Sequence, residues 1–175
     1  RDQGKAFDLS GFKRELQQLL NDDASSQIFK ERLRNIDYSE GYNSRLALRY
    51  VLSIIEDYID SYSRGEAPLR VRDDTKVIDP KVVTIEHLYP NNANAGENDG
   101  FMETVKGKIG NLSLLARIPN QDGANQSFKL KKNNYITDQY LLTRKAAEYD
   151  RFTEQEYTER RDYLLNAADS IFRLS

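Results

Sequence analysis

The residues of this chain that are best suited to chemistry lie in the stretch TIEHLYP, residues 84–90. It contains the one histidine of the sequence, His87, directly after Glu86. A neutral imidazole can take a proton from an attacking water, and a carboxylate can hold a cation beside it. A lone histidine is more often structural than catalytic. The other polar residues of the sequence are therefore needed to distinguish the two interpretations.

Two asparagines downstream favour the catalytic interpretation. Asn111 stands in IGNLSLL, and Asn120 lies nine residues later in RIPNQ. Carboxylate and amide oxygens are hard ligands that suit Mg²⁺ or Mn²⁺ far better than zinc. A cation held in this way polarises a phosphodiester while an imidazole activates water. Each asparagine alone also has a structural explanation, since Asn111 after Gly110 fits a turn and Asn120 after Pro119 fits a cap.

The elements that must position these residues are a strand, a loop, a second strand and a helix. VVTIEH has the β-branched residues of a strand, and NLSLLARI is a second strand-like run. Residues 91–108 between them are rich in Asn and Gly with little to bury, which predicts a mobile surface loop. SFKLKKNNY then predicts a short basic helix.

Helices are predicted on both sides of this central part. LSGFKRELQQLL, with Ser10 as N-cap, and SSQIFKERLRNI each fit a short helix. The clearest helix runs over residues 44–64, where the apolar positions are Leu48, Val51, Leu52, Ile55, Ile59 and Tyr62. The opposite face holds Arg45, Arg49, Ser53, Glu56, Asp57, Asp60 and Arg64. Thr153 and Glu156 fit a capping box that begins an amphipathic helix over 154–172.

Composition limits the kinds of site and partner. The chain has no cysteine and one histidine, which excludes disulfides, thiolate metal sites and zinc fingers. No apolar stretch approaches the ~20 residues needed to span a bilayer. The net charge of −2 argues mildly against general nucleic-acid binding. Residues 106–135 nevertheless carry a net charge of +5, which predicts a local patch that attracts phosphate.

An ordered set of short motifs resembles a known family. EHLYP and IGNLSLL are followed by the pattern N-x4-N-x2-F-x2-K-x3-Y at Asn120, Asn125, Phe128, Lys131 and Tyr135. This set is similar to the HNH nuclease motif of the GmrSD-type restriction endonuclease C-terminal domain family. The motif covers residues 82–135, and FTEQEYTERRDYLL resembles the helix that closes family members.

The resemblance implies a role for each of these residues. His87 would be the general base, and Asn111 would brace the loop that carries it. Glu86 and Asn120 would ligate one divalent cation, Mg²⁺ or Mn²⁺. The residues expected to bind DNA are Asn125, Lys129, Lys131 and Lys132, with Lys131 facing the phosphate backbone. The ordinary alternative for the three lysines is a solvated helix surface.

The fold expected from these patterns is α+β and mostly helical, a helical bundle carrying a ββα-metal (HNH) hairpin and helix. Residues 1–66 are expected to form the N-terminal bundle and residues 67–142 the nuclease unit. Residues 143–175 are expected to form a C-terminal helix that packs on the bundle. The chain opens RDQGKAFDLS, without Met or a signal segment, and we expect it to be part of a longer cytoplasmic protein.

The function implied by the resemblance is metal-dependent nicking or cleavage of DNA by a bacterial, modification-dependent restriction protein that acts against phage. The expected partners are phage or otherwise modified DNA and an N-terminal module that senses it and hydrolyses nucleotide. Two alternatives stay open. The chain could be an inactive HNH-like fold kept for DNA binding, or a helical protein-interaction domain that uses the surface around residues 44–64.

Overall fold

The computed structural model describes residues 25–63, 83–93, 98–116 and 126–172, with four isolated positions before residue 25. The helix predicted over residues 10–20 and its N-cap Ser10 lie almost wholly outside the described residues. Asn120 and Asn125 also lie outside them.

The described chain is mostly helical with one small sheet. In order, its elements are α1 (Ser26–Asn35), α2 (Tyr42–Ser63), β1 (Val83–His87), α3 (Gly100–Val105), β2 (Leu112–Ala116), α4 (Phe128–Ile136), α5 (Leu141–Ala146) and α6 (Glu154–Phe172). Single turns of 3₁₀ helix lie at Tyr38–Glu40 and Ile109–Asn111. The predicted α+β class is confirmed. No helix in the described part of the chain is long and apolar enough to cross a membrane.

The helix α2 buries the apolar face that its sequence predicts, because residues three and four apart lie on one side of a helix. Leu48, Leu52 and Ile55 have no exposed surface. They share a core with α1, β2, α5, α6 and the 3₁₀ turn before β2. The other fully buried residues of this core include Ile109, Leu112, Leu114, Leu142, Leu164 and Ala168. Helices that precede the hairpin in the sequence and helices that follow it therefore pack against β2 in one common core.

The prediction for the polar face of α2 is wrong at Glu56. This side chain is buried, and its carboxylate accepts hydrogen bonds from the backbone N–H groups of Leu141 at 2.6 Å and Leu142 at 2.8 Å. Burial raises the pKa of Glu56, and the two N–H groups oppose that rise. The start of a helix has unpaired N–H groups, so a carboxylate from α2 is a good partner for α5.

The strands form an antiparallel hairpin in which Val83 pairs with Ala116 and His87 with Leu112. Arg160 of α6 contacts the start of β2. Its buried guanidinium donates to the carbonyl of Leu112 at 3.0 Å and to that of Leu142 at 3.3 Å. Burial lowers the pKa of Arg160 to about 10, so it remains charged at neutral pH. The sheet, α5 and α6 are thus joined at one side chain.

The described part of the segment between the strands, residues 91–93 and 98–108, is more ordered than its composition predicts. Residues 91–108 were expected to be a surface loop, but they include α3, whose Met102 is completely buried. The Asp99 carboxylate accepts from the N–H groups of Phe101 at 2.9 Å and Met102 at 3.1 Å, which is an N-cap. The polar composition of this segment therefore gave no indication of α3, a short helix with an N-cap at Asp99 and a buried Met102.

Candidate functional site

His87 lies at the end of β1 and is half-buried. Its ring contacts that of Tyr38, with 5.2 Å between centroids and 84° between planes. Burial lowers the pKa of His87, and the carboxylate of Glu86 only partly opposes this effect. The imidazole is consequently neutral near pH 7 and has a lone pair with which it can accept a proton.

Glu86 is held by two side chains of α4. Its Oε1 accepts a hydrogen bond from the Lys131 ammonium at 2.7 Å and another from the Tyr135 hydroxyl at 2.7 Å. Lys131 also donates to the backbone carbonyl of His87 at 2.5 Å. Burial raises the pKa of Tyr135 well above its ordinary value, so its hydroxyl remains a donor. The helix therefore fixes both the carboxylate and the end of the strand.

Glu86 and His87 contact different elements. Glu86 faces α4, whereas the His87 ring contacts the turn before α2. This follows from the alternation of side chains along a strand. A substrate that used both groups would have to lie across the end of β1, where the two side chains are adjacent in sequence.

Asn111 is fully buried just before β2, and its amide joins two parts of the loop. Its Oδ1 accepts from the Tyr89 N–H at 2.7 Å, and its Nδ2 donates to the carbonyls of Tyr89 at 3.0 Å and Lys106 at 2.8 Å. Its backbone carbonyl accepts from the Leu88 N–H at 2.9 Å. These bonds hold the two residues that follow His87. The side-chain amide is fully used by backbone groups.

Replacing Asn111 by alanine is expected to lower the free energy of unfolding by about 2–3 kcal/mol, because it leaves buried backbone groups unpaired. Asn134→Ala, at an exposed position of α4, is the matched control and is expected to change it by less than ~0.5 kcal/mol. Urea unfolding measures both variants. Amide exchange at Tyr89 should accelerate in Asn111→Ala alone. Equal stability of the two variants would contradict this role.

Lys131 does not lie where a phosphate contact was expected. Its side chain is buried, and its ammonium is used by Glu86 and the His87 carbonyl. Lys129 is exposed on the same helix, and Lys132 lies 3.3 Å from the exposed carboxylate of Asp150. The surface lysines of α4 thus remain candidates for DNA contact, whereas Lys131 acts within the protein.

The predicted basic patch is also weaker than its net charge suggests. Lys106 pairs with Glu103 at 2.7 Å, and Lys108 pairs with Asp37 at 3.3 Å. Both carboxylates lie outside residues 106–135, Glu103 three residues before Lys106 and Asp37 far back in the chain, so the local count of charges did not include them. The positive charge of this segment is therefore partly neutralised in the folded chain.

Two functional features were missed by the sequence interpretation. The burial of Lys131 had a visible signal in the sequence, because its spacing of three residues from Phe128 and four from Tyr135 places it on the same face of α4 as these two aromatic residues. The structure shows that this face is buried. The contact of Tyr38 with His87 had no such signal, since the two residues are far apart in the chain. Only the folded structure brings that ring to the site.

The described residues offer a limited set of ligands for a cation. Both hydrogen bonds that Glu86 makes to other described side chains end on Oε1, so Oε2 has none from this part of the chain. Mg²⁺ is often held by one or two carboxylates together with waters and substrate phosphates. One carboxylate oxygen fits that pattern. Among the described residues, no group of three or more His, Asp or Glu side chains could hold a metal.

Comparison with known families agrees with the motifs. The family model for the C-terminal domain of GmrSD restriction endonucleases matches residues 23–167, which is most of the chain. The chain belongs to this family. The match includes the hairpin, α4 and most of α6, and it confirms the resemblance found in the sequence. No curated protein matches the sequence. Membership in the GmrSD C-terminal domain family suggests a restriction-endonuclease-related domain with nuclease activity and DNA as substrate.

Proposed function

We propose that this member of the GmrSD C-terminal domain family is a metal-dependent HNH endonuclease that nicks or cleaves DNA. The hairpin and α4 would then be its ββα-metal unit, with the site at the end of β1. The observation that supports this most is that the end of β1 carries a neutral imidazole, His87, directly after Glu86, whose carboxylate α4 holds in one orientation. Family membership supplies the substrate class.

In this proposal His87 accepts the proton of the water that attacks the phosphorus atom. Its lowered pKa keeps the imidazole unprotonated at neutral pH, which is the state that a general base requires. Asn111 holds the loop after His87 and thereby restrains the strand end. Asn111 is thus a positioning residue.

Glu86, with Asn120, would hold one Mg²⁺ or Mn²⁺, which when bound stabilises negative charge on the phosphate and the leaving oxygen. The Lys131 ammonium and the Tyr135 hydroxyl both occupy Oε1 of Glu86 and thus fix the direction of Oε2. The position of Asn120 nine residues after Asn111 motivates its inclusion. Loss of metal-stimulated cleavage in Glu86→Gln and in Asn120→Ala is the expected outcome.

The DNA backbone would be contacted by Lys129, Lys132 and Asn125. Lys129 is exposed, and the pairing of Lys132 with a fully exposed carboxylate is too weak to withhold it from a phosphate. The double variant Lys129→Gln/Lys132→Gln is expected to lower the slope of log K against log salt by about two. An unchanged slope would remove these lysines from the interface.

The experiment that tests the proposed activity follows conversion of supercoiled plasmid to open-circular and linear DNA. The chain is incubated with Mg²⁺, Mn²⁺ or excess chelator. Nicking is expected with either cation and none with the chelator. Absence of cleavage under every condition, together with retained DNA binding, would instead support an inactive DNA-binding fold. Absence of both would support a protein-interaction domain.

The wider biological role is also a proposal. Family membership motivates a place in a bacterial restriction system that acts on phage or otherwise modified DNA, with an N-terminal sensor module in the full-length protein. Comparison of cleavage on modified and unmodified plasmid tests this. If the isolated chain cuts both equally and weakly, recognition of the modification resides in the sensor module. Strong preference by the chain alone would contradict this division of labour.

A further inference from the structure

The turn at Tyr38–Glu40, between α1 and α2, lies against the proposed base. The ring centroids of Tyr38 and His87 are 5.2 Å apart and the ring planes are nearly perpendicular, which is a favourable arrangement for two aromatic rings. We propose that Tyr38 is a positioning residue that holds the His87 imidazole in the orientation required for proton transfer. This inference rests on the proposed nuclease function. It makes the N-terminal helical part of the chain a component of the site.

The turn that carries Tyr38 is fixed to the loop between the strands. The N–H of Tyr38 donates to the carbonyl of Gly107 at 2.9 Å. Lys108 donates to the carbonyl of Asn35 at 2.7 Å and pairs with Asp37 at 3.3 Å. A Cβ at Gly107 would clash with the carboxylate of Asp37, so any other residue at this position would displace that side chain. The turn therefore has a defined position relative to β1.

The same loop is anchored by Asn111, which donates to the Lys106 carbonyl and also holds both backbone groups of Tyr89. One buried amide thus connects the segment that supports Tyr38 to the residues that follow His87. The backbone of His87 is fixed by its pairing with Leu112 and by Lys131. Its ring can still rotate about the side-chain bonds, and Tyr38 restricts that motion.

Arg45 of α2 holds Tyr38 in turn. Its guanidinium lies 5.3 Å from the centre of the Tyr38 ring, and its Nε donates to the Tyr38 carbonyl at 3.2 Å. Tyr38 is therefore in contact with a cation and with the imidazole at the same time. A general base must lie within about 2.6–3.2 Å of the proton donor, so restraint of the imidazole affects the rate more than binding.

The test compares Tyr38→Leu, which removes the ring, with Tyr38→Phe, which keeps it. Tyr50→Leu is the matched control, because Tyr50 is an exposed tyrosine of α2 whose ring contacts Phe172 at 6.1 Å. The chain has one histidine, so the imidazole C–H signals in a proton NMR spectrum belong to His87 alone. These signals are recorded for each variant at a pH where the ring is neutral, and plasmid nicking is measured in parallel.

Tyr38→Leu is expected to shift the His87 signals and to lower kcat by about 10- to 100-fold with little change in KM, as for a misplaced catalytic group. Tyr38→Phe and Tyr50→Leu are expected to stay close to wild type in both measurements. If Tyr38→Leu does not fold, Arg45→Gln at an exposed site replaces it. That variant is expected to move both measurements in the same direction by a smaller amount.

The outcomes separate this inference from the function on which it rests. If wild type nicks DNA in a His87-dependent manner while Tyr38→Leu, or Arg45→Gln in its place, retains the wild-type kcat, the positioning role is overturned and the nuclease proposal stands. Shifted NMR signals without a fall in kcat also overturn it. If wild type shows no His87-dependent nicking, the nuclease proposal fails, and the positioning role fails with it.

Discussion

Replacing His87 by alanine is expected to lower the rate of DNA nicking by about 10²- to 10⁴-fold, which is the usual contribution of a general base. No other imidazole can take over, because the chain has a single histidine. The hydrogen bonds that pair β1 with β2 use backbone groups, so the fold should survive the loss of the ring. Initial rates of plasmid nicking in Mn²⁺ measure the effect, and circular dichroism checks the fold.

Chemical rescue distinguishes a lost base from a damaged structure. Imidazole added to the buffer should restore part of the activity of His87→Ala, because it can occupy the vacated space and accept the proton. It should not rescue Glu86→Ala, in which the group removed is a carboxylate. Equal nicking by wild type and His87→Ala would contradict the assignment of the base.

The pH dependence follows from the same group. The pKa of His87 is lowered by burial, below the ordinary histidine value of about 6.5. Because the protonated imidazole cannot act as a base, activity should be lost as pH falls through that lowered pKa. Most of the activity should already be present at pH 7, because a pKa below 6.5 leaves most of the imidazole neutral there. If the loss of activity had its midpoint above about pH 6.5, the titrating group would not be His87.

Replacing Lys131 by methionine is expected to lower the free energy of unfolding by about 3–5 kcal/mol, the cost of leaving one member of a buried ion pair without its partner. The side chains of Lys131 and Glu86 are only 6% and 12% exposed. After the substitution, the Tyr135 hydroxyl is the remaining described donor to that carboxylate. Urea unfolding monitored by circular dichroism measures the change.

Lys129→Met is the matched control, since it places the same substitution on the exposed side of the same helix. It should alter stability by less than ~0.5 kcal/mol. Adding Glu86→Gln to Lys131→Met removes the unpaired charge and should recover a large part of the loss. If Lys131→Met were no less stable than Lys129→Met, the buried pair would not have the role that the structure assigns to it.

The repeating apolar pattern of the sequence was sufficient to predict the long helices. The prediction for residues 44–64 compares with α2 at Tyr42–Ser63, and the prediction for 154–172 coincides with α6. In both helices the period of 3.6 residues is a local property that burial reinforces. Antiparallel pairing of the two strand-like runs also follows the pattern over the described residues.

Errors arose where a polar side chain has a partner distant in sequence. Glu56 has the spacing of a solvent-facing residue, yet it caps α5, which begins 85 residues later. The motif predicts that Lys131 faces the DNA backbone, whereas the structure places it on the buried face of α4 with Phe128 and Tyr135. Helical periodicity shows which face a residue occupies. It does not show which distant group will approach that face.

In the candidate site, too, the sequence predicted some residues and not the distant residues that contact them. Glu86, His87 and Asn111 were selected by their types and spacing, and the structure places all three around the end of β1. The residues that restrain them, Tyr38 and Lys131, come from elements that the local sequence does not connect to the strand. The motif therefore located the candidate site residues better than it located the contacts that orient them.

The most direct measurement of the central claim is the effect of Mn²⁺ on the NMR signals of the His87 ring. Bound next to Glu86, this paramagnetic ion should broaden those signals selectively at low occupancy. The broadening should disappear in Glu86→Gln and persist in Glu159→Gln, which alters an exposed carboxylate on α6. If Mn²⁺ leaves the His87 signals sharp, or broadens them equally without the Glu86 carboxylate, the proposed metal-dependent site at the end of β1 is contradicted.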